Sequence, residues 1–297
     1  MAFDFYFAGT QCEEAEKIMV ELNANVLKSY LNDKNNIPRW FEAKHNGWKG
    51  KLLIDNGAFT LHRKGGQLDI DKYIDWLNEH IDDIDLAIAL DDIPGKWGHK
   101  KTLEQIQGSA EVTWKNYLYM IEKVTQPQKL IPVFHMYENF KFLENMVNSD
   151  ELLSDYICIS GSKELTNSQR ESWYEQCFNI IKRSKRPNIK VHCLGSATMQ
   201  NAEKFPFTSM DATSWIMTGA NGGILTDCGV VYVGDSGKSL TKAQKEAVQS
   251  ILDEYHLSLE DIGKDYRARM CVNVRQLYKD SQKCEYVGLK YERRKLF

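Results

Sequence analysis

Four polar clusters in this 297-residue chain each follow directly on a short apolar run, and they are the positions where chemistry could be done. Leu52-Leu53-Ile54 runs into Asp55-Asn56-Gly57-Ala58-Phe59, and Phe207-Thr208-Ser209-Met210 runs into Asp211-Ala212-Thr213-Ser214-Trp215. Ala89-Leu90 leads to Asp91-Asp92, and Cys158-Ile159 leads to Ser160-Gly161-Ser162. His135 and the segment His192-Cys193-Leu194-Gly195 stand at comparable points. A buried parallel strand has this look when its C-terminal end delivers a polar group to a pocket. Two aspartates delivered that way, far apart in sequence, form the carboxylate pair that breaks glycosidic bonds. One such aspartate alone is as readily a helix N-cap, so the weight lies on Asp55, Asp91 and Asp211 together.

The flanking residues sharpen this. Gly57 and Ala58 after Asp55 let a flat ligand approach the backbone, and Phe59 can stack on it. Ala212, Thr213 and Ser214 after Asp211 are small hydrogen-bonding residues suited to orienting a nucleophilic carboxylate. Gly234-Asp235-Ser236-Gly237-Lys238-Ser239 imitates a phosphate-binding loop but has Tyr232 where the pattern needs glycine, so it reads as a turn. Gly219-Ala220-Asn221-Gly222-Gly223 reads as a surface loop.

Positioning three strand-end carboxylates requires a repeated strand–helix framework. Strands are expected at Phe3–Phe7, Lys51–Ile54, Leu86–Leu90, Leu130–Phe134, Tyr156–Ile159, Lys190–Leu194 and Phe207–Met210, with an eighth from Gly223–Val233. Ile70, Tyr73, Ile74, Leu77 and Ile81 form one apolar helical stripe, and residues 13–31, 101–124, 140–148 and 167–184 read as helices too. Near-continuous apolar strands separated by helices predict a parallel sheet covered on both faces. Eight units predict an α/β fold of the (β/α)8 TIM-type barrel class over residues 1–237, whose chemistry sits at the carboxyl ends of the strands. An open doubly wound sheet is the runner-up, and no glycine-rich fingerprint after the first strand supports it. Residues 238–297 read as a helical, basic extension packed on the barrel, entered through a capping box at Thr241-Lys242-Ala243-Gln244 and ending Tyr291-Glu292-Arg293-Arg294-Lys295-Leu296-Phe297.

Composition sets bounds. Net charge is −3 and apolar residues are 42 %, with seven tryptophans, enough for a real core. The extension carries 13 Lys and Arg against 9 Asp and Glu, so the negative excess lies in the barrel. Seven scattered cysteines include no C-x-x-C pair, which fits reduced thiols and a cytoplasmic location. The N-terminus lacks a basic leader and no 18-residue apolar run occurs, so neither secretion nor a membrane partner is expected. Nothing in the sequence sets an oligomeric state.

On these residues the chain resembles the tRNA-guanine transglycosylase superfamily, and within it the phage and bacterial DpdA-type branch that puts 7-deazaguanine bases into DNA. The family segment D-S-G-G-[FY] is matched by Asp55-Asn56-Gly57-Ala58-Phe59, and F-D-E by Leu90-Asp91-Asp92. A glycine-containing strand end is matched by Ser160-Gly161, and M-G…V-D by Leu194-Gly195 through Met210-Asp211, with the family's spacing of sixteen residues between Gly195 and Asp211. The match spans roughly residues 50–215, in order.

The resemblance implies that Asp211 is the nucleophile attacking C1′ of deoxyribose, and that Asp55 is the acid/base group. Asp91 would read the N1–H and exocyclic amine of a guanine-like base. Ser160 and Gly161 would face its O6 or 7-substituent, with Gly195 nearby, and Phe59 would stack on the ring. His135 falls near the family's base-contacting glutamine. The implied partners are DNA, with the target guanine flipped or unpaired, and a free 7-deazaguanine base such as preQ0. The location would be the host cytoplasm for a phage-encoded enzyme, and no redox or nucleotide cofactor is needed.

Two departures bear on the polymer. The C-x-C-x-x-C…H zinc site of the tRNA enzymes has no counterpart, since only Cys228, Cys271 and Cys284 follow Asp211, so no metal of that type is expected. The arginine-rich segment that holds tRNA phosphates is replaced by Ser214-Trp215-Ile216-Met217-Thr218-Gly219, which favours DNA over tRNA. The alternatives are a tRNA-acting enzyme and a non-catalytic nucleic-acid-binding barrel. A sugar glycosidase would want more aromatic residues at strand ends.

Overall fold

The computed structural model describes residues 3–9, 12–161, 165–195, 198–234, 240–284 and 286–287. Nine strand segments form one parallel sheet: β1 (Asp4–Ala8), β2 (Asn25–Ser29), β3 (Leu52–Asp55), β4 (Leu86–Ile88), β5 (Leu130–Ile131), β6 (Val133–His135), β7 (Tyr156–Ser160), β8 (Lys190–Leu194) and β9 (Ser209–Ala212). β1 pairs with β2 on one side and with β9 on the other. β5 and β6 are two halves of one stave split at Pro132, which has no N–H to give the ladder. β5 pairs with β4 and β6 with β7, so this stave joins the two ends of the sheet. The result is an eight-stave (β/α)8 barrel.

Period-2 alternation divides each stave. Tyr6, Leu27, Leu53, Ile88, Ile131, Val133, Tyr156 and Cys158 pack into the barrel interior. Their neighbours Phe5, Phe7, Val26, Leu52, Ile54, Ile157, Ile159 and Cys193 face the surrounding helices. Those helices are α1 (Glu13–Glu21), α2 (Ile37–His45), α3 (Ala58–Lys64), α4 (Ile70–His80), α5 (Leu103–Lys123), α6 (Phe140–Asn148), α7 (Asn167–Arg183), α8 (Met199–Lys204) and α9 (Ser214–Ala220). Capping boxes open α5 at Thr102/Gln105 and α7 at Thr166/Gln169, fixing where βα loops hand over to helix.

The expected helix over 13–31 and the expected eighth strand in Gly223–Val233 are both corrected. α1 ends at Glu21, and Asn25-Val26-Leu27-Lys28-Ser29 supplies the missing stave as β2. Lys28 hid it: a lysine in so short an apolar run reads as helix surface, yet its side chain is fully buried. The Lys28 ammonium donates to Gly9 O at 2.7 Å and to Glu16 Oε1 at 2.9 Å, so the buried charge is matched. β10 (Gly223–Thr226) and β11 (Gly229–Tyr232) instead form an antiparallel hairpin apart from the barrel sheet.

That hairpin shares a small core with α10 (Lys242–Tyr255), α11 (Leu259–Lys264) and α12 (Tyr266–Lys283), built from Ile224, Val231, Val248, Ile251, Leu252, Ile262 and Val272. α10 opens on the capping box Thr241/Gln244. α12 joins both cores, because its Met270, Val274 and Leu277 belong to the main one. Asn273 accepts from Leu225 N–H at 2.7 Å and donates to Trp215 O and Gly223 O, both at 3.3 Å. Residues 235–239 of the phosphate-loop look-alike and the basic tail 291–297 lie outside the described residues. Among the described residues no helix is long and apolar enough to cross a membrane.

Candidate active site

Alternation decides which strand-end residues face inward. Asp55 follows Leu53, His135 follows Val133, Ser160 follows Cys158, and Asp211 follows Ser209, each two residues beyond an inward position. The register sets Asp55 beside Ser29, and Ser160 between His135 and Leu194. They meet in a pocket of about 510 Å³ at the carboxyl end of the barrel. Asp55, Asp91, Asp211, His135, Ser160, Gly161, Gly195 and Phe59 all line it, so every site residue expected from the sequence is brought to one cavity.

Asp55 sits at the end of β3, where Gly57 N–H donates to its Oδ2 at 3.1 Å. Gly57 takes φ +91°, a left-handed conformation in which a Cβ would lie 2.6 Å from Leu31 Cβ, so the turn needs glycine. Removal from water, then the negative charges of Asp91 and Asp211, push the Asp55 carboxyl up to about 7. Asp55 is therefore a carboxyl poised to hold and release a proton near neutrality.

Asp91 is held the other way. Burial alone would raise it, but the hydrogen bond and charge of His135, together with the Asn56 amide, keep it below its ordinary value. Its Oδ2 lies 2.7 Å from His135 Nε2 and its Oδ1 accepts from Asn56 Nδ2 at 2.8 Å. His135 Nδ1 is 2.8 Å from Glu138 Oε1. Burial would depress the imidazole, yet its two carboxylate partners raise it to about 10, so it stands as an imidazolium clamped between Asp91 and Glu138. Both ring nitrogens are thus engaged, and His135 aims and ionises Asp91 instead of offering a free nitrogen to a ligand. Asp92 turns away to accept from Ser109 Oγ at 2.5 Å and anchors α5.

Asp211 is largely buried and its Oδ1 accepts from Gly195 N–H at 2.9 Å. Gly195 therefore orients the carboxylate as well as lining the pocket. Behind it, fully buried His192 brings Nε2 to 3.4 Å from Asp211 Oδ1, outside hydrogen-bond geometry, while Nδ1 lies 2.8 Å from Ser209 Oγ. The segment after Asp211 is fixed by Trp215, whose buried indole donates to Ala8 O at 3.0 Å. Phe59 stands at the mouth, 53 % exposed, with its ring edge-on to Trp97 at 5.4 Å.

Glu138, Trp97 and Tyr137 escaped the sequence reading, and Asn56 entered it only as the counterpart of the family segment's serine. The Asn56 amide bridges Ala89 O and Asp91. Glu138 stands three residues after His135, a spacing that carries a signal only once a turn follows the strand. Among the described residues no group of three or more His, Cys, Asp or Glu side chains is placed to hold a metal ion.

No family model matches the chain. No curated protein matches its sequence either. Solved structures of similar shape include the YdjI aldolase of Escherichia coli K12, 6 % identical, covering 96 % of this chain and 94 % of that one, with a TM-score of 0.46. A type I 3-dehydroquinate dehydratase from Clostridium difficile is 12 % identical, covers 72 % and 85 % of the two chains, and has a TM-score of 0.43. The carboxyl transferase domain of Rhizobium etli pyruvate carboxylase is 11 % identical over 95 % of this chain and 48 % of that chain, with a TM-score of 0.46. At these values none of them bears on what the pocket does.

Proposed function

We propose that the chain is a DNA guanine transglycosylase of the DpdA type, a pentosyltransferase that exchanges guanine for a free 7-deazaguanine base through a covalent intermediate on Asp211. One observation carries this reading. Three carboxylates share a rim and two of them are tuned apart, with Asp55 pushed up to about 7 while the neighbouring Asp91 is held low by His135. Glycosyl exchange needs such a division between a proton carrier and an ionised neighbour.

In the first half-reaction an Asp211 oxygen attacks C1′. The C1′–N9 bond breaks, a C1′–O bond forms, and the Asp55 proton passes to the ring of the departing guanine, which leaves neutral. In the second, the incoming base gives its N9 proton to Asp55 and its N9 bonds to C1′. The C1′–O bond breaks as the C1′–N9 bond forms, and Asp211 is regenerated. Each oxygen of Asp91 keeps a lone pair beyond those used by His135 and Asn56, enough to accept from N1–H and the exocyclic amine of a guanine-like base. Adenine presents an acceptor at N1 and would be repelled. Ser160 and Gly161 face the O6 side, and Phe59 covers the ring. Nothing in these steps calls for a redox or nucleotide cofactor.

The test is incubation of the purified protein with guanine-containing DNA and labelled preQ0. Label enters DNA with the wild type, and Asp211→Ala lowers the rate roughly a thousandfold or more. Label entering tRNA and not DNA would change the polymer, and no label in either across salt conditions would overturn the reading.

A further inference from the structure

The mouth of the pocket carries a collar that the exchange chemistry does not use. Arg63 projects from α3, Lys96, Trp97 and Lys101 from the loop between β4 and α5, and Tyr137 from the turn after β6. Trp97 is 50 % exposed although it is a tryptophan, and Tyr137 is exposed as well. Tyr137 has φ +83°, a left-handed conformation that costs a residue with a Cβ about 1–3 kcal/mol and that holds its ring at the mouth. Cations lie against the rings: the Arg63 guanidinium is 5.5 Å from the Trp97 centroid, and Lys101 Nζ is 5.5 Å from that of Tyr137.

Among the described residues no carboxylate lies within 4.0 Å of Arg63, Lys96 or Lys101, whereas Lys44, Lys51 and Lys190 elsewhere pair with Asp85, Asp4 and Asp155. In a chain of net charge −3, a knot of unpaired positive charge around one cavity attracts a polyanion to it. Rings with cations about one nucleotide step away suit a base on the ring and its phosphate on the cation. A carbohydrate would call for amides and carboxylates beside the rings.

We propose that this collar is a docking surface for single-stranded DNA, whose bases flanking the target stack on Trp97 and Tyr137 while its phosphates meet Arg63, Lys96 and Lys101. The assignment rests on the reading of the pocket as one that acts on a nucleic-acid base. Duplex does not fit, because its stacked bases offer no faces to the rings. Stacking on rings and contact of cations with phosphates use no 2′-hydroxyl, so deoxyribose suffices here.

Binding is measured by fluorescence anisotropy of labelled single-stranded DNA, duplex DNA and RNA, without free base, as a function of salt. Wild type binds the single-stranded DNA tightest. Trp97→Ala weakens it about tenfold. Lys96→Gln with Lys101→Gln lowers the slope of log affinity against log salt by about 1.4, two phosphate contacts' worth. All three positions are on the surface, and matching circular dichroism melts establish that the variants are folded. Wild-type affinity and slope in both variants would overturn the proposal, as would no binding at low salt or tighter binding of RNA or duplex. Binding through the collar with no label incorporated would refute the exchange chemistry alone. Normal binding by the variants of a protein that does incorporate label would refute the collar alone.

Discussion

Asp55 and Asp91 stand on one rim and are tuned in opposite directions by identifiable neighbours. Asp55 is raised to about 7 by burial and by Asp91 and Asp211, so the proposed exchange predicts that kcat/KM for DNA falls about tenfold per pH unit above that value as its proton is lost. Asp91→Asn removes a negative neighbour, lowers the Asp55 carboxyl, and moves that alkaline limb to lower pH; a limb that stays in place contradicts the coupling. His135 titrates far above the usual 6.5, at about 10. Because the folded value is raised, its contribution to stability is complete below about 6.5 and disappears as pH rises through 10. His135→Gln leaves two buried carboxylates without their cation, for a loss of about 3–5 kcal/mol at pH 6. Thermal melts from pH 6 to 10.5 check this, and the gap to wild type should narrow towards the upper end. The three aspartates were legible because each follows an apolar run directly, a signal carried by adjacent residues, and because three recur. Asn56 and Glu138 were not, since what they hold is settled only when β4 and β6 come alongside.

At the scale of elements, seven staves could be read from apolar runs, and helices α4 to α7 from their stripes. β2 could not, because Asn25-Val26-Leu27-Lys28-Ser29 has the polarity of a helix surface until Glu16 and Gly9 O surround the lysine. The hairpin β10–β11 drew the strand expectation instead: its residues are β-branched, but their partners are α10–α12. Asn273 locks that hairpin and α9 to α12. Asn273→Leu removes the acceptor of the Leu225 N–H and the donor to the Trp215 and Gly223 carbonyls, which should lower the unfolding free energy by about 2–4 kcal/mol in urea titration. A change below about 0.5 kcal/mol would show that the bonds are not holding the junction.

The whole molecule is a barrel whose last outer helix, α12, belongs also to a second small core. Met270, Val274 and Leu277 point to the barrel, and Val272 to the hairpin and α10–α11. Calorimetry of the intact chain should accordingly give one cooperative transition, and removal of residues 238–297 should abolish it by uncovering α1, α9 and β1. Two resolved transitions would mean independent units. In the proposed exchange the three carboxylates presented at or after the ends of β3, β4 and β9 divide the work, with Asp211 as the attacking group. That claim is met most directly by mass analysis of protein denatured after incubation with guanine-containing single-stranded DNA. The account predicts a species of protein plus oligonucleotide less one guanine, with the link mapping to Asp211 and absent from Asp211→Ala. The same adduct in Asp211→Ala, or base exchange by the wild type with no adduct at any time point, would contradict it.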